Sequence, residues 1–125
     1  MLVDFHCHTT NSDGSLSTAE LVAAMERRGV GIFSITDHDT TRAYEQLPQA
    51  RAQIVPGIEI NTTRDGVDVH VLGYGFDPSA SGSIYETLRA NREARRTRIN
   101  TMIQRLVSAG YPLTEEMVAA EASGS

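Results

Sequence analysis

The chain has a single cysteine, Cys7, which excludes an intrachain disulfide and a cysteine-based zinc site. It has no lysine, so all 11 basic residues are arginines. Six of them, Arg89, Arg92, Arg95, Arg96, Arg98 and Arg105, crowd into one short segment and polarise the charge along the chain. No stretch reaches the roughly 18 apolar residues of a membrane span. The N-terminus lacks the basic, apolar, small-residue order of a signal peptide, so the expectation is a cytoplasmic protein with no membrane partner. No serine sits in a Gly-x-Ser-x-Gly setting, which argues against a covalent serine mechanism. Positive charge is in deficit. A net charge of −5 argues against a broad nucleic-acid-binding surface while leaving room for a local basic cleft. A hydrophobic share of 40% within 125 residues is enough for a packed core, in one small domain or in part of a larger one.

What the chain does have is concentrated at its start. Met1-Leu2-Val3 leads into Asp4-Phe5-His6-Cys7-His8, and Asn11-Ser12-Asp13-Gly14 follows. On a strand, Asp4, His6 and His8 share one face while Phe5 and Cys7 share the other. Ser17-Thr18-Ala19-Glu20 has the form of a capping box, so a helix is expected there, with Leu21, Val22 and Met25 at helical spacing and Gly29 to end it. The run from Gly31 to Thr36 reads as a second, buried strand. Strand, helix, strand implies a parallel pair with functional groups at the carboxyl ends of the strands.

At that end of the second strand stands Thr36-Asp37-His38-Asp39-Thr40. A short helix through Tyr44 is expected, then a third strand at Gln53-Ile54-Val55 before Pro56-Gly57. Ile58-Glu59-Ile60-Asn61, a turn at Asp65-Gly66, and the run from Val67 to Tyr74 read as a hairpin. A loop of residues 63–66 would set Glu59 opposite His70. A turn of Asp65-Gly66 alone would shift the register by two, and either arrangement leaves both side chains on one face. A Ser/Gly stretch is expected to link to a long helix from about Ile84 to Ala109. Its inward stripe would run through Ile84, Leu88, Arg92, Arg95, Ile99, Met102, Ile103 and Leu106, with a further helix capped by Thr114.

The chain's four histidines, His6, His8, His38 and His70, all fall at strand ends or on strand faces beside carboxylates. Singly, each is more economically explained as a structural histidine. Together with Asp13, Glu59, Asp37 and Asp39 they point to a metal site of nitrogen and oxygen donors, suited to Zn²⁺, Mn²⁺ or Fe²⁺ and rich enough for more than one ion. Glu59, flanked by Ile58 and Ile60, is costly to bury without a partner or a metal. Cys7 is expected to be a small buried hydrophobe. A metal-activated water or hydroxide is the natural nucleophile. Asp37 and Asp39 are candidates for orienting histidines or for giving a proton to a leaving group. Arg92 and Arg95 invite a phosphate-binding role, against the alternative of pairing with Glu86 and Glu93 on a solvated helix.

Four ordered motifs, Asp4 to His8 with Ser12-Asp13-Gly14, Thr36 to Thr40, Pro56 to Ile60, and His70 to Tyr74, closely resemble the PHP (polymerase and histidinol phosphatase) superfamily. The likeness is strongest to its stand-alone phosphoesterases of the TrpH or RNase AM type. It implies hydrolysis of phosphomonoesters or phosphodiesters in nucleotides or short oligonucleotides, with two or three divalent ions in the complete site. It places His6, His8 and Glu59 on one ion, Glu59 and His70 on a second, and Asp13 with His38 on a third. Histidinol-phosphate phosphatase activity is the enzymatic alternative, and a non-catalytic metal-binding module or a metal-free α/β scaffold the alternatives of other classes. The fold implied is α/β, the N-terminal portion of a distorted (β/α)₇ TIM-like barrel. Residues 1–76 would form its first part, 77–83 a linker, and 84–125 the start of a helical insertion, with the late ligands of the family beyond residue 125. A barrel of that kind needs roughly 200 residues or more.

Overall fold

The structure, a computed structural model, describes residues 1–79 and 82–122. The chain folds as two compact units, Met1–Gly82 and Ser83–Ser125. Residues 80 and 81 of the expected linker, and 123–125 at the end of the chain, lie outside the described residues.

In the first unit, β1 (Leu2–Cys7), α1 (Thr18–Arg27) and β2 (Val30–Ile35) form the expected crossover, with β1 and β2 parallel. The capping box at α1 is complete. The Glu20 amide donates to Ser17 Oγ, and the Ser17 amide donates to Glu20 Oε2 at 2.8 Å. Such a cap stabilises a helix by about 0.5–2 kcal/mol. Gly29 ends the helix with φ 74°, a left-handed conformation that glycine adopts without a Cβ penalty. Leu21, Val22 and Met25 on the inner face of α1 pack with Phe33 and Ile35 of β2 and with Ala43 to form the core. Full burial of each large aliphatic or aromatic side chain there is worth roughly 1.5–3 kcal/mol.

The expected short helix is a five-residue 3-10 turn, Arg42–Gln46. Its Tyr44 ties the turn to its neighbours. The phenol donates to the Ile35 carbonyl and accepts from the Gly57 amide at 2.7 Å, so one partly buried hydroxyl joins the end of β2 to the start of the hairpin. The third strand, β3 (Gln53–Ile54), extends the parallel sheet in the order β1-β2-β3.

The hairpin is β4 (Gly57–Arg64) and β5 (Val67–Tyr74). Asp65 and Gly66 both have positive φ, 53° and 80°, as a two-residue hairpin turn of matching twist requires. That turn selects between the two registers. Asn61 lies opposite His70 and Glu59 opposite Leu72, so Glu59 and His70 are diagonal neighbours on one face. The hairpin is tied to the parallel sheet by an isolated parallel bridge between His38 and Glu59. The Asp39 amide donates to the Glu59 carbonyl at 2.9 Å, and the Glu59 amide to the Asp37 carbonyl at 3.2 Å.

In the second unit, α2 (Ser83–Ser108) and α3 (Glu115–Ala122) are both helices. Gly110, with φ 94°, closes α2, and the Tyr111 amide reaches back to the Leu106 carbonyl. Thr114 Oγ1 accepts from the Met117 amide at 3.2 Å and caps α3. The inward stripe expected of α2 is only partly realised. Leu88 and Ile103 are buried, whereas Ile84, Ile99, Met102 and Leu106 are exposed. No described helix is long and apolar enough to cross a membrane.

Candidate metal centre

Five segments bring their polar side chains to one place. His6 comes from β1 and His8 from just beyond it, Asp13 from the loop before α1, His38 from the segment after β2, Glu59 from β4 and His70 from β5. Glu59 is the hub, with its side chain only 5% exposed. Its Oε2 lies 2.9 Å from His6 Nε2, 3.0 Å from His8 Nε2 and 3.7 Å from His38 Nε2, while Oε1 lies 2.7 Å from His70 Nδ1. Asp13 faces the same imidazoles from the solvent side at 66% exposure. Its Oδ1 is 3.2 Å from His8 Nδ1 and its Oδ2 3.4 Å from His38 Nε2. The four rings follow one another, with centroids 5.2 Å apart from His6 to His8, 4.7 Å from His8 to His38 and 5.1 Å from His38 to His70.

These side chains form three overlapping trios, His6–His8–Glu59, His8–Asp13–His38 and His38–Glu59–His70, whose donor atoms lie within 4.8 Å of one another in each. Imidazole and carboxylate without thiolate are donors that fit a divalent transition metal. Local electrostatics agree. Burial alone would push the Glu59 carboxyl up, but the hydrogen bond from His6, the positive potential of His38 and the hydrogen bond from His70 together hold it below the usual carboxylate range. The site is therefore built around a carboxylate kept ionised, as a ligand must be.

All six expected ligands are brought together, and the trios add sharing that the sequence motifs did not suggest. His8 stands in the Asp13 trio as well as its own, and His38 joins Glu59 and His70. Cys7 points away, donating its thiol to the Ser34 carbonyl at 3.0 Å. Burial, then the nearby Asp4 and Asp37 carboxylates, push that thiol up to about 12, so it stays a thiol.

Asp37 and Asp39 belong to none of the trios. Both are buried, at 1% exposure. Asp37 Oδ1 accepts from the Thr9 amide at 2.7 Å and Ser12 Oγ at 2.6 Å, and its Oδ2 accepts from Thr9 Oγ1 at 2.7 Å. Asp39 accepts from the Asn61 amide at 3.1 Å and from Asn61 Nδ2 at 2.6 Å. Sequence reasoning missed Thr9, Ser12 and Asn61. The available signal was the density of small hydroxyl and amide residues, Thr9-Thr10-Asn11-Ser12, directly after His8. Arg92 and Arg95 lie on α2, in the second unit.

The family model for the PHP domain matches residues 4–111. The chain belongs to the PHP domain family. Among curated PHP relatives, a 5'-3' exoribonuclease of Haemophilus influenzae is 32% identical over 127 aligned positions, covering 97% of this chain and 45% of that protein. A 3',5'-nucleoside bisphosphate phosphatase of Chromobacterium violaceum is 30% identical, covering 86% of this chain and 39% of that one. A crystal structure of a proposed metal-dependent phosphoesterase from Bifidobacterium adolescentis superimposes with a TM-score of 0.84 at 33% identity, covering 96% of this chain and 43% of that one. An amidohydrolase structure from Chromobacterium violaceum, determined with sulfate and no metal, gives 0.78 at 29% identity, over 88% of this chain and 40% of its own. The chain thus spans less than half the length of the curated PHP relatives it matches.

Proposed function

We propose that this PHP domain is the N-terminal part of a metal-dependent phosphoesterase that hydrolyses phosphomonoester or phosphodiester bonds of nucleotides or short oligonucleotides. The observation that carries the reading is Glu59, a buried carboxylate held by His6, His8 and His70 and approached by His38, with Asp13 closing the solvent side. Divalent ions, Mn²⁺, Zn²⁺ or Fe²⁺, would supply Lewis-acid polarisation of phosphate oxygens and lower the pKa of a coordinated water. The chain's own residues do the rest. Glu59 joins two trios and fixes their spacing, and His6 and His70, each about half exposed, leave the centre open to a substrate from solvent. The phosphate-binding role expected of Arg92 and Arg95 belongs to the same proposal, since a guanidinium offers a paired set of donors to phosphate oxygens. The curated relatives named as an exoribonuclease and a nucleoside bisphosphate phosphatase support nucleotide-class substrates.

The same reading makes the first unit the opening part of a distorted (β/α)₇ barrel and the second the start of a helical insertion. Support comes from β1, an edge strand of its sheet on which Leu2, Val3 and Phe5 are exposed. An apolar edge of that kind calls for a further strand.

The test is hydrolysis of a nucleoside 3',5'-bisphosphate, a 5'-phosphorylated RNA oligonucleotide and histidinol phosphate, with and without Mn²⁺. The expected result is metal-dependent release of phosphate or mononucleotide from the nucleotide substrates, lost in His8→Ala. Metal binding without turnover of any of them would favour a non-catalytic module, and turnover of histidinol phosphate alone would move the substrate class.

A further inference from the structure

His38 stands at the junction of the centre, in two of its three trios, yet its Nδ1 is buried without a hydrogen-bond partner among the described residues. Metal-binding histidines ordinarily donate that second nitrogen to a carboxylate or carbonyl, which fixes the ring. His38 must be placed by other means. Its two sequence neighbours are buried carboxylates, and each grips a different ligand-bearing segment.

We infer that Asp37 and Asp39 are positioning residues, a pair of clamps that hold the Asp13 loop and the Glu59 strand beside His38. Asp37 takes three donors from the loop after His8, namely the Thr9 amide, Thr9 Oγ1 and Ser12 Oγ. Ser12 immediately precedes Asp13, and the loop is tightened further by the Asn11 amide and Asn11 Nδ2, which both donate to Thr9 Oγ1 at 3.1 and 3.0 Å. Asp39 takes two donors from Asn61, two residues beyond Glu59 on the same strand, while its own amide donates to the Glu59 carbonyl. Asp39 adopts φ 53°, a left-handed conformation unusual for a residue with a Cβ. The paired bonds to Asn61 and the Glu59 carbonyl offset that cost. A buried carboxylate accepting three short hydrogen bonds is already satisfied, and moving a proton through it would break the clamp.

This inference rests on the metal-centre reading, and its test separates the two. In the full chain, Asp37→Asn turns one acceptor into a donor facing donors. It is expected to weaken Mn²⁺ binding at the His8–Asp13–His38 trio by about 10–100-fold in calorimetric titration, while the His38–Glu59–His70 trio keeps its ion. Asp39→Asn is expected to weaken the two trios that share Glu59 instead. Amide hydrogen exchange on the metal-free chain gives an independent reading. The Thr9 amide should lose protection only in Asp37→Asn, and the Asn61 amide only in Asp39→Asn. Should Asp37→Asn fail to fold, Thr9→Val, which removes the Thr9 Oγ1 bond to Asp37 and touches no side chain of the trio, should show a smaller loss at the same trio. Unchanged metal affinity and unchanged exchange in the variants would overturn the clamps alone. So would lost turnover with metal affinity and protection intact, which would make these carboxylates proton carriers. An unmodified chain that takes up no Mn²⁺ would overturn the metal-centre reading and this inference with it.

Discussion

At the scale of single residues, neighbours in the sequence meet opposite fates. Cys7 sits between His6 and His8, yet it faces the core and donates to Ser34. Its thiol should resist iodoacetamide at neutral pH in the folded chain and react fully once the chain is unfolded. Rapid labelling of folded protein would show that the strand alternation has been misread. Glu59 has the reverse character, polar by nature and buried by position. Its lowered pKa means that the hydrogen-bonded, ionised carboxylate stabilises the metal-free fold above the ordinary carboxyl value of 4.5 and that this contribution is lost as pH falls through the lowered folded value. Glu59→Gln should therefore cost about 1.5–3 kcal/mol at pH 7, measured by urea unfolding of the metal-free chain, with the gap to the unmodified chain narrowing in acid. A gap that stays constant from pH 7 to pH 3 would contradict it. The six side chains that gather in the centre were legible in the sequence because imidazoles and carboxylates at strand ends have few structural uses. The partners of Asp37 and Asp39 were not, since Thr9, Ser12 and Asn61 are separated from them by 28, 25 and 22 positions and only the folded chain pairs them.

At the scale of elements, local rules predicted what local rules govern. The capping box, Gly29 and the Asp65-Gly66 turn act within a few residues, and each is found as expected. The hairpin register required a choice between two loop lengths. It was settled by backbone conformation, since Asp65 and Gly66 each take positive φ and no longer loop is needed. The stripe on α2 was legible as a pattern, but a pattern does not say which of its residues find a neighbour, and only Leu88 and Ile103 are buried. The loop after β1 shows how close packing replaces regular structure. A Cβ on Gly14 would collide with the His8 carbonyl, a rigid backbone group. Gly14→Ala should displace the segment that bears Asp13, costing about 1–3 kcal/mol in thermal unfolding and lowering Mn²⁺ affinity at the Asp13 trio. Wild-type stability and metal affinity in that variant would show the loop to be more yielding than its contacts imply.

At the scale of the whole molecule, the first unit is a scaffold that points five segments of chain at one carboxylate. Parallel strands β1 and β2 carry His6, His8 and His38 at or just beyond their carboxyl ends, and the hairpin, joined through the His38–Glu59 bridge, brings Glu59 and His70 to the same place. That topology was foreseeable from the strand-helix-strand order. The closed barrel was not testable from the sequence, and the described strands form two separate sheets, β1-β2-β3 and β4-β5. The relatives are more than twice as long as the part this chain matches, whereas all six side chains of the centre lie within this chain. The most direct measurement is therefore elemental analysis of the chain after equilibration with Mn²⁺ and removal of free metal. The account predicts at least two ions per chain, held by trios that share Glu59 and falling in Glu59→Gln. No bound metal, or a full complement retained without Glu59, would contradict it.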